Sequence, residues 1–317
     1  MNDTYRKLRE RLAAGLSLLP DKPEESPEST LRALWHTAAG NPRSAAAALH
    51  GDLPELPANG KSLQTLEHFV ARRLAGEPLA HITGRQRFMG LEMLSGPQAL
   101  IPRAETEQLA RASIELLQPS GMRRRPRVID VCTGCGNLAF AIAHHVADAE
   151  IFGTDISKDA IELAERNGSH LGLQARVAFC TGDLLASFET PDFLGQVDLL
   201  VCNPPYIASA KVSHADPAAC VPSPIRSQAE QMAAEIANHE PRLAFDGGPF
   251  GVAVLMRLIE DAPHFLRAGG WLAFEVGVGQ GPALTRRLQR DDAFEEVRAL
   301  ADANGAIRVI LARKNRD

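Results

Sequence analysis

The hexapeptide Val201-Cys202-Asn203-Pro204-Pro205-Tyr206 holds the residue types from which a chemical clamp is most readily built. Asn203 offers a side-chain amide oxygen, Pro204 a backbone carbonyl that neither helix nor sheet is expected to use, and Tyr206 a flat ring. Two acceptors can hold the two N–H groups of a planar NH₂, and the ring can lie on the same plane. Such a clamp suits an amide, an amidine or an exocyclic amine whose nitrogen must point at an electrophile. The preceding VDLLVC (197–202) is an apolar run without Gly or Pro, as expected of a buried parallel strand. Pro204 and Pro205 end it, because proline has no N–H to give the ladder and holds its neighbour extended. The candidate catalytic residues Asn203, Pro204, Pro205 and Tyr206 thus fall at the carboxyl end of a central strand, where open α/β sheets bind ligands. Asn-Pro alone also opens ordinary turns, so the electrophile must be sought elsewhere in the chain.

Three earlier strands end in acids. The first runs into Asp130-Val131-Cys132-Thr133-Gly134-Cys135-Gly136, with an apolar helix from Asn137. Its glycines permit a tight turn and close approach of a ligand to the backbone. The pattern is not GxGxxG, since Ala139 stands at the third glycine position. A carboxylate at Asp130 would repel pyrophosphate and attract an amine or a sulfonium. The second strand ends at Asp155, placed to grip a ribose diol. The third ends at Asp183, whose carboxylate can accept from an adenine amino group. With Asn203 on the fourth strand, the ordered set reads as a site for S-adenosylmethionine, which joins an amino group, a ribose, an adenine and a positive sulfur. The rival reading of Cys132-x-x-Cys135 is a redox or zinc motif. No second ligand pair follows and the glycines account for the turn, so no metal is expected; His144 and His145 read as packing or surface residues.

These residues need a sheet to hold them. Strands are expected over 127–132, 149–154, 175–180, 197–202, 270–276, 294–300 and 306–312, and helices near 137–147, 158–167, 226–238, 251–267 and 281–290. Such alternation implies an α/β fold with a doubly wound, mostly parallel seven-stranded sheet. The hairpin signal Asn304-Gly305 makes one edge antiparallel. Residues 1–85 read as a helical partner or substrate domain, 86–104 as a β-hairpin linker and 105–317 as the catalytic domain. Within the first, PDKPEESPES (20–29) reads as a loop, Thr30 to Ala39 as a helix, and Pro42 to His50 as another capped by Asn41. Ser62 is expected to cap a helix with Leu63, Leu66, Val70 and Leu74 on one face. In Ile101-Pro102-Arg103-Ala104-Glu105-Thr106-Glu107, Arg103 and Glu105 are candidate polar lining of a substrate cleft, and Thr106 a helix cap.

At 317 residues the chain suits two domains, and a net charge of -5 with pI near 6.1 argues against a nucleic-acid-binding polycation. The basic run Arg123 to Arg127 reads as a solvated linker. No run reaches the length of a membrane span and no signal-type apolar core opens the chain. Five cysteines, an odd number, suggest reduced thiols in the cytoplasm.

The chain resembles the HemK-type (PrmC-type) protein-glutamine N5-methyltransferases. The likeness is carried by LIPRAETE (100–107), DVCTGCG (130–136), GTDIS (153–157), TGDLL (181–185), VCNPPYI (201–207), HEPRLAFDGGPFG (239–251), GGWLAFEVGVGQG (269–281) and NGAIRVILAR (304–313). It implies a class I methyltransferase that uses S-adenosylmethionine, releases S-adenosylhomocysteine and methylates a glutamine amide in a translation release factor. By matching position, Asp130, Cys132 to Gly136, Asp155, Ile156, Asp183, Leu184 and Asn203 would hold the cofactor; Arg103, Glu105, Asn203, Pro204 and Tyr206 would hold the acceptor. The chain departs from the family pattern with Cys132 in place of Gly, Ala104 in place of Pro and a longer span over 207–238. Two other acceptors therefore stand beside the protein glutamine: a free amino acid or guanidino compound, and an adenine N6 in nucleic acid, which uses a similar NPP loop. The latter conflicts with the acidic charge.

Overall fold

Short apolar runs such as RVIDV and VDLLVC have nowhere to go but the middle of a sheet, and a computed structural model places them there. It describes residues 3–19, 21–56, 61–118, 125–207, 239–247 and 251–316. The helix expected over 226–238 and the insertion after Ile207 lie outside them, as do Arg123 and Arg124 of the basic run. The described residues fall into two compact units.

The first unit contains helices α1 (Asp3–Gly15), α2 (Pro27–Ala38), α3 (Ala45–Ala48), α4 (Lys61–Leu74) and α5 (Leu79–Thr83), and strands β1 (Arg85–Phe88) and β2 (Leu91–Leu94). Leu8, Leu12, Leu31, Leu34, Leu66 and Val70 form its core. Helix α2 starts earlier than Thr30, because Ser26 and Ser29 form a reciprocal capping box and Pro27 occupies the first turn. Helix α3 is shorter than expected and is capped by Ser44, not Asn41; the Ser44 hydroxyl is also held by Glu92 at 2.7 Å. Ser62 lies inside the first turn of α4, and the buried stripe is Ser62, Leu66, Val70 and Arg73, with Leu63 exposed. β1 and β2 pair as an antiparallel hairpin whose two turn residues, Met89 and Gly90, both have positive φ, as a type I′ turn requires.

Arg103 also belongs to this unit. Its guanidinium lies 3.0 Å from Asp21 and bonds Glu240, all three side chains being buried. Glu240 accepts in addition from the Ile101 N–H at 2.9 Å. A buried carboxylate stripped of its partner is a large cost. Arg103→Leu should therefore destabilise the protein by about 3–5 kcal/mol in urea unfolding. A loss below about 1 kcal/mol would mean that the two acids are solvated and the cluster contributes little.

The second unit carries the sheet. Its strands are β3 (Arg127–Val131), β4 (Glu150–Asp155), β5 (Val177–Thr181), β6 (Val197–Cys202), β7 (Leu266–Glu275), β8 (Phe294–Ala301) and β9 (Ile307–Lys314), in the order β5-β4-β3-β6-β7-β9-β8. Helices α6 (Glu107–Leu117), α7 (Asn137–His145), α8 (Lys158–Leu171), α9 (Ala253–Phe265) and α10 (Gly281–Leu288) accompany it. The strands from β5 through to β7 pair in parallel, and β9 runs antiparallel to both β7 and β8, so the expected antiparallel edge is present. β7 begins at Leu266, before the expected 270, because Leu266 pairs with Val197 ahead of a register shift at which residues 267–270 have no cross-strand partner. After β3 the chain adds β4 and β5 on one side, then crosses to β6 on the other. The crevice at the ends of β3 and β6 is the topological switch point.

Candidate active site

Asp130, Asp155 and Asn203 lie at or next to the ends of β3, β4 and β6. Asp130 is fully buried and one carboxylate oxygen accepts from the Thr133 hydroxyl at 2.6 Å and the Ala139 N–H at 3.1 Å. It thus pins the turn to the start of α7. Its other oxygen is buried with no partner among the described residues. Burial pushes its pKa up to about 7, and Asp155 nearby adds to the shift, while the two hydrogen bonds oppose it. The expectation of an acid open to a ligand is thereby modified: Asp130 acts on this crevice from beneath, as a turn anchor with one spare oxygen.

Asp155 ends β4. Its carboxylate accepts from the Gly134 and Ser157 N–H groups, each at 2.9 Å, so β4 and the β3 turn are tied together. Burial raises its pKa despite these bonds. Ionised, each oxygen keeps acceptor capacity for a diol. Ile156 follows it and is exposed. Asp183 is half-exposed and accepts from Arg257 at 2.8 Å. Leu184 behind it has φ of 52°, and Cys132 in the β3 turn has φ of 57°, both in the left-handed region that favours glycine. Gly134 and Gly136 lie there too. Cys135 is buried and its thiol is pushed up to about 12, the opposite of the lowered pKa of a redox cysteine. Among the described residues there is no group of three His, Cys, Asp or Glu side chains able to hold a metal ion.

Beyond β6, Asn203 donates its amide N–H to the Thr106 hydroxyl at 3.1 Å, and its amide oxygen is buried without a partner among the described residues. The Thr106 hydroxyl donates to Glu275 at 2.7 Å. Thr106 is therefore not a side-chain cap of α6: its own backbone is already helical and its hydroxyl points across the sheet end. Tyr206 donates to Glu275 at 3.1 Å and lies 3.4 Å from Glu105. Arg308 completes the cluster, 3.0 Å from Glu105, 3.4 Å from Glu275 and 5.8 Å from the centre of the Tyr206 ring. Burial, with Glu105 next, raises the Glu275 pKa to about 7, and the Tyr206 hydroxyl is raised well above its ordinary value. No described hydrogen bond reaches the Pro204 carbonyl.

The back of the loop is fixed by Gln280, which donates to the carbonyls of Tyr206 at 3.0 Å and Gly251 at 3.1 Å and accepts from the Gly277 N–H at 2.8 Å. A Cβ on Gly251 would stand 2.1 Å from the Tyr206 carbonyl, so this position admits only glycine. Ile207 bridges to Asp246 in parallel, closing the loop from the other side.

A model described as "PrmC N-terminal domain" matches residues 10–84 and one described as "Methyltransferase domain" matches residues 123–241. A release factor glutamine methyltransferase of Moorella thermoacetica is 36% identical over 248 residues, 78% of this chain and 79% of that protein. The enzyme of the same name from Deinococcus radiodurans is 32% identical over 308 residues, 97% of this chain and 99% of the relative. The chain belongs to the release factor glutamine methyltransferase family. Among solved structures, the hMettl16 catalytic domain in complex with MAT2A 3'UTR hairpin 6 superposes with a TM-score of 0.53 at 16% identity, covering 72% of this chain and 77% of that one. That likeness carries the fold alone.

In this methyltransferase the structure gathers Asp130, Cys132, Thr133, Gly134, Cys135, Gly136, Asp155 and Ile156 around one turn, with Asp183 and Leu184 beyond the next strand. Asn203, Pro204, Pro205, Tyr206 and Glu105 belong to the same unit, whereas Arg103 is accounted for by Asp21 and Glu240 in the other. Sequence reasoning assigned no role to Thr106 as an Asn203 partner, nor to Glu275, Gln280 or Arg308. A signal was available for two of them: Glu275 ends WLAFE and Arg308 interrupts IRVIL, each the one charged residue in an otherwise apolar run.

The left-handed Cys132 yields a test. An L side chain pays roughly 1–2 kcal/mol there, and a β-branched one more. Cys132→Val should lower the urea midpoint by an equivalent of about 1–3 kcal/mol, while Cys132→Gly should match the parent or exceed it. Equal stability of the two variants would show that the turn relaxes without strain.

Proposed function

We propose that the protein transfers a methyl group from S-adenosylmethionine to the side-chain amide nitrogen of a glutamine in a peptide chain release factor. The observation that carries this reading is the buried amide oxygen of Asn203, without a partner among the described residues, together with a Pro204 carbonyl that no described hydrogen bond reaches, at the tip next to the acid-rich turn. Two acceptors of that kind match the two N–H groups of a primary amide. The named substrate of the family supplies the acceptor's identity.

The donor site fits the cofactor chemically. Asp155 retains acceptor capacity for ribose hydroxyls, the spare oxygen of Asp130 adds negative charge beneath the turn, and Asp183 is available to an adenine amino group in competition with Arg257. Cys132, Thr133, Gly134, Cys135, Gly136, Ile156 and Leu184 would line it. When bound, S-adenosylmethionine supplies a methyl group on a positively charged sulfur. The protein's share is orientation. An amide nitrogen is a poor nucleophile because its lone pair is delocalised. Asn203 and Pro204 accepting both N–H groups would hold the nitrogen in line and favour charge building on it. Tyr206 would pack on the amide plane, and Glu105 would edge the acceptor site. No side-chain nucleophile takes part. A reducing compartment, the cytoplasm, belongs to the same reading and rests on the odd cysteine count.

Three measurements test it. With labelled S-adenosylmethionine, label should enter release factor and not a panel of free amino acids; the reverse outcome would move the enzyme to small-molecule chemistry. Asn203→Ala should lower kcat by about 10²–10³-fold without loss of fold, and a parent rate would reduce the NPPY segment to a turn. Asp155→Ala should weaken calorimetric cofactor binding by about 1–3 kcal/mol, and unchanged affinity would remove Asp155 from the site.

A further inference from the structure

The Thr106 hydroxyl has one proton to give. It gives it to Glu275, 2.7 Å away. What remains on that oxygen are lone pairs, so the group that faces it from Asn203 must be the NH₂, at 3.1 Å. The amide oxygen is thereby forced to the other side, where no described residue meets it. The opposite carboxylate oxygen of Glu275 takes the Tyr206 hydroxyl at 3.1 Å. One buried carboxylate thus sets two members of the clamp.

We propose that Glu275 is a positioning residue: acting through Thr106, it fixes the rotational state of the Asn203 amide so that its oxygen is presented to the acceptor, and it holds Tyr206 in place by its second oxygen. The inference rests on the acceptor reading given above, which it deepens by naming what orients the clamp.

Its polarity depends on protonation. Ionised Glu275 can only accept, and the chain runs Asn203 to Thr106 to Glu275. Protonated Glu275 carries a donor of its own; it can give that proton to Thr106, freeing the Thr106 proton for the Asn203 oxygen once the amide turns over. The oxygen would then be consumed inside the protein. The charged and titratable groups facing Glu275 are Glu105 ahead of α6, Tyr206 in the loop after β6 and Arg308 on β9, with the neutral Thr106 and Asn203 beside them. Burial and Glu105 push the carboxyl up, while Thr106, Arg308 and Tyr206 draw it down, with a balance at about 7. Because the pKa is raised and the ionised form is the competent one, turnover falls as pH drops through about 7 and is full above it.

The test pairs turnover with a spectroscopic readout on the full chain. Glu275→Gln and Thr106→Val should each lower kcat about 10- to 100-fold above neutral pH, the factor that corresponds to losing a hydrogen bond to a charged group. Thr106→Ser, which keeps the hydroxyl, should stay within about threefold of the parent. The Glu275→Gln, Thr106→Val pair should lose no more than the larger single change, because both act on one chain of bonds. At saturating S-adenosylmethionine, where the charge on Asp130 affects donor binding and not turnover, Glu275→Gln should also abolish the fall in kcat between about pH 8 and about pH 6. Independently of turnover, the side-chain NH₂ signal of Asn203, assigned by its absence in Asn203→Ala, should titrate over that interval in the parent and stay fixed in Glu275→Gln. Parent rates in both single variants would overturn the proposal. If the parent methylates neither release factor nor free amino acid, the acceptor reading fails, and the Asn203 signal alone decides: titration supports the relay, and an invariant signal overturns it.

Discussion

The site depends on β6 being paired in parallel on both sides, with β3 and with β7. That double pairing buries all six of its residues and leaves the chain no freedom about where Asn203 emerges. It emerges between the glycine-containing turn, one strand away at the end of β3, and Glu275, one strand away at the end of β7. Everything chemical follows from this adjacency. The two prolines then prevent the ladder from continuing, so the loop is stiff without needing a helix or a hydrogen-bonded turn to hold it. Gln280 and the glycine at 251 fix its rear.

Two buried acids flank that point, Asp130 and Glu275, and both are drawn to about 7, chiefly by burial. An unfolded chain would have released these protons in the ordinary carboxylate range. Folding therefore retains them: the stabilisation is full below that range and is lost as pH rises through about 7. Above it, two ionised carboxylates sit in a low-dielectric interior at a cost to stability. On the proposed reading, a site that attracts a cationic donor and orients a neutral amide has reason to keep them there. Opposition between fold and function at such positions is a general expectation for active sites.

Much of this was legible in the sequence. The strand order of acids, the apolar runs and the Asn304-Gly305 hairpin predict the sheet, because each is a local signal with a local cause. The NPPY segment offers two acceptors by residue type alone, the ones the proposed clamp would use. What escaped were relations across the sheet end. Thr106 looks like a helix cap because Ser and Thr usually are, yet its oxygen accepts from the Asn203 amide N–H, 97 residues away, and not from a local backbone N–H. Asp130 was read as facing a ligand, since nothing in its own turn announces that Thr133 and the Ala139 N–H will claim one of its oxygens. Arg103 looks like cleft lining in the sequence, because its acid partners Asp21 and Glu240 lie far off on either side. Spacing predicts elements well and distant hydrogen-bond partners poorly.

The Arg103 cluster has a consequence for how the chain comes into being. Asp21 and Arg103 are both made early, but Glu240 follows Arg103 by 137 positions. At the pace of ribosomal synthesis that interval is on the order of ten seconds. Until it has passed, the guanidinium has one carboxylate where the finished unit gives it two, and the Ile101 N–H lacks its acceptor. The helical unit is thus finished from within the sheet unit's own stretch of sequence. Domain order along the chain and order of completion are not the same, and the last stitch of the first domain is sewn after β6 already exists.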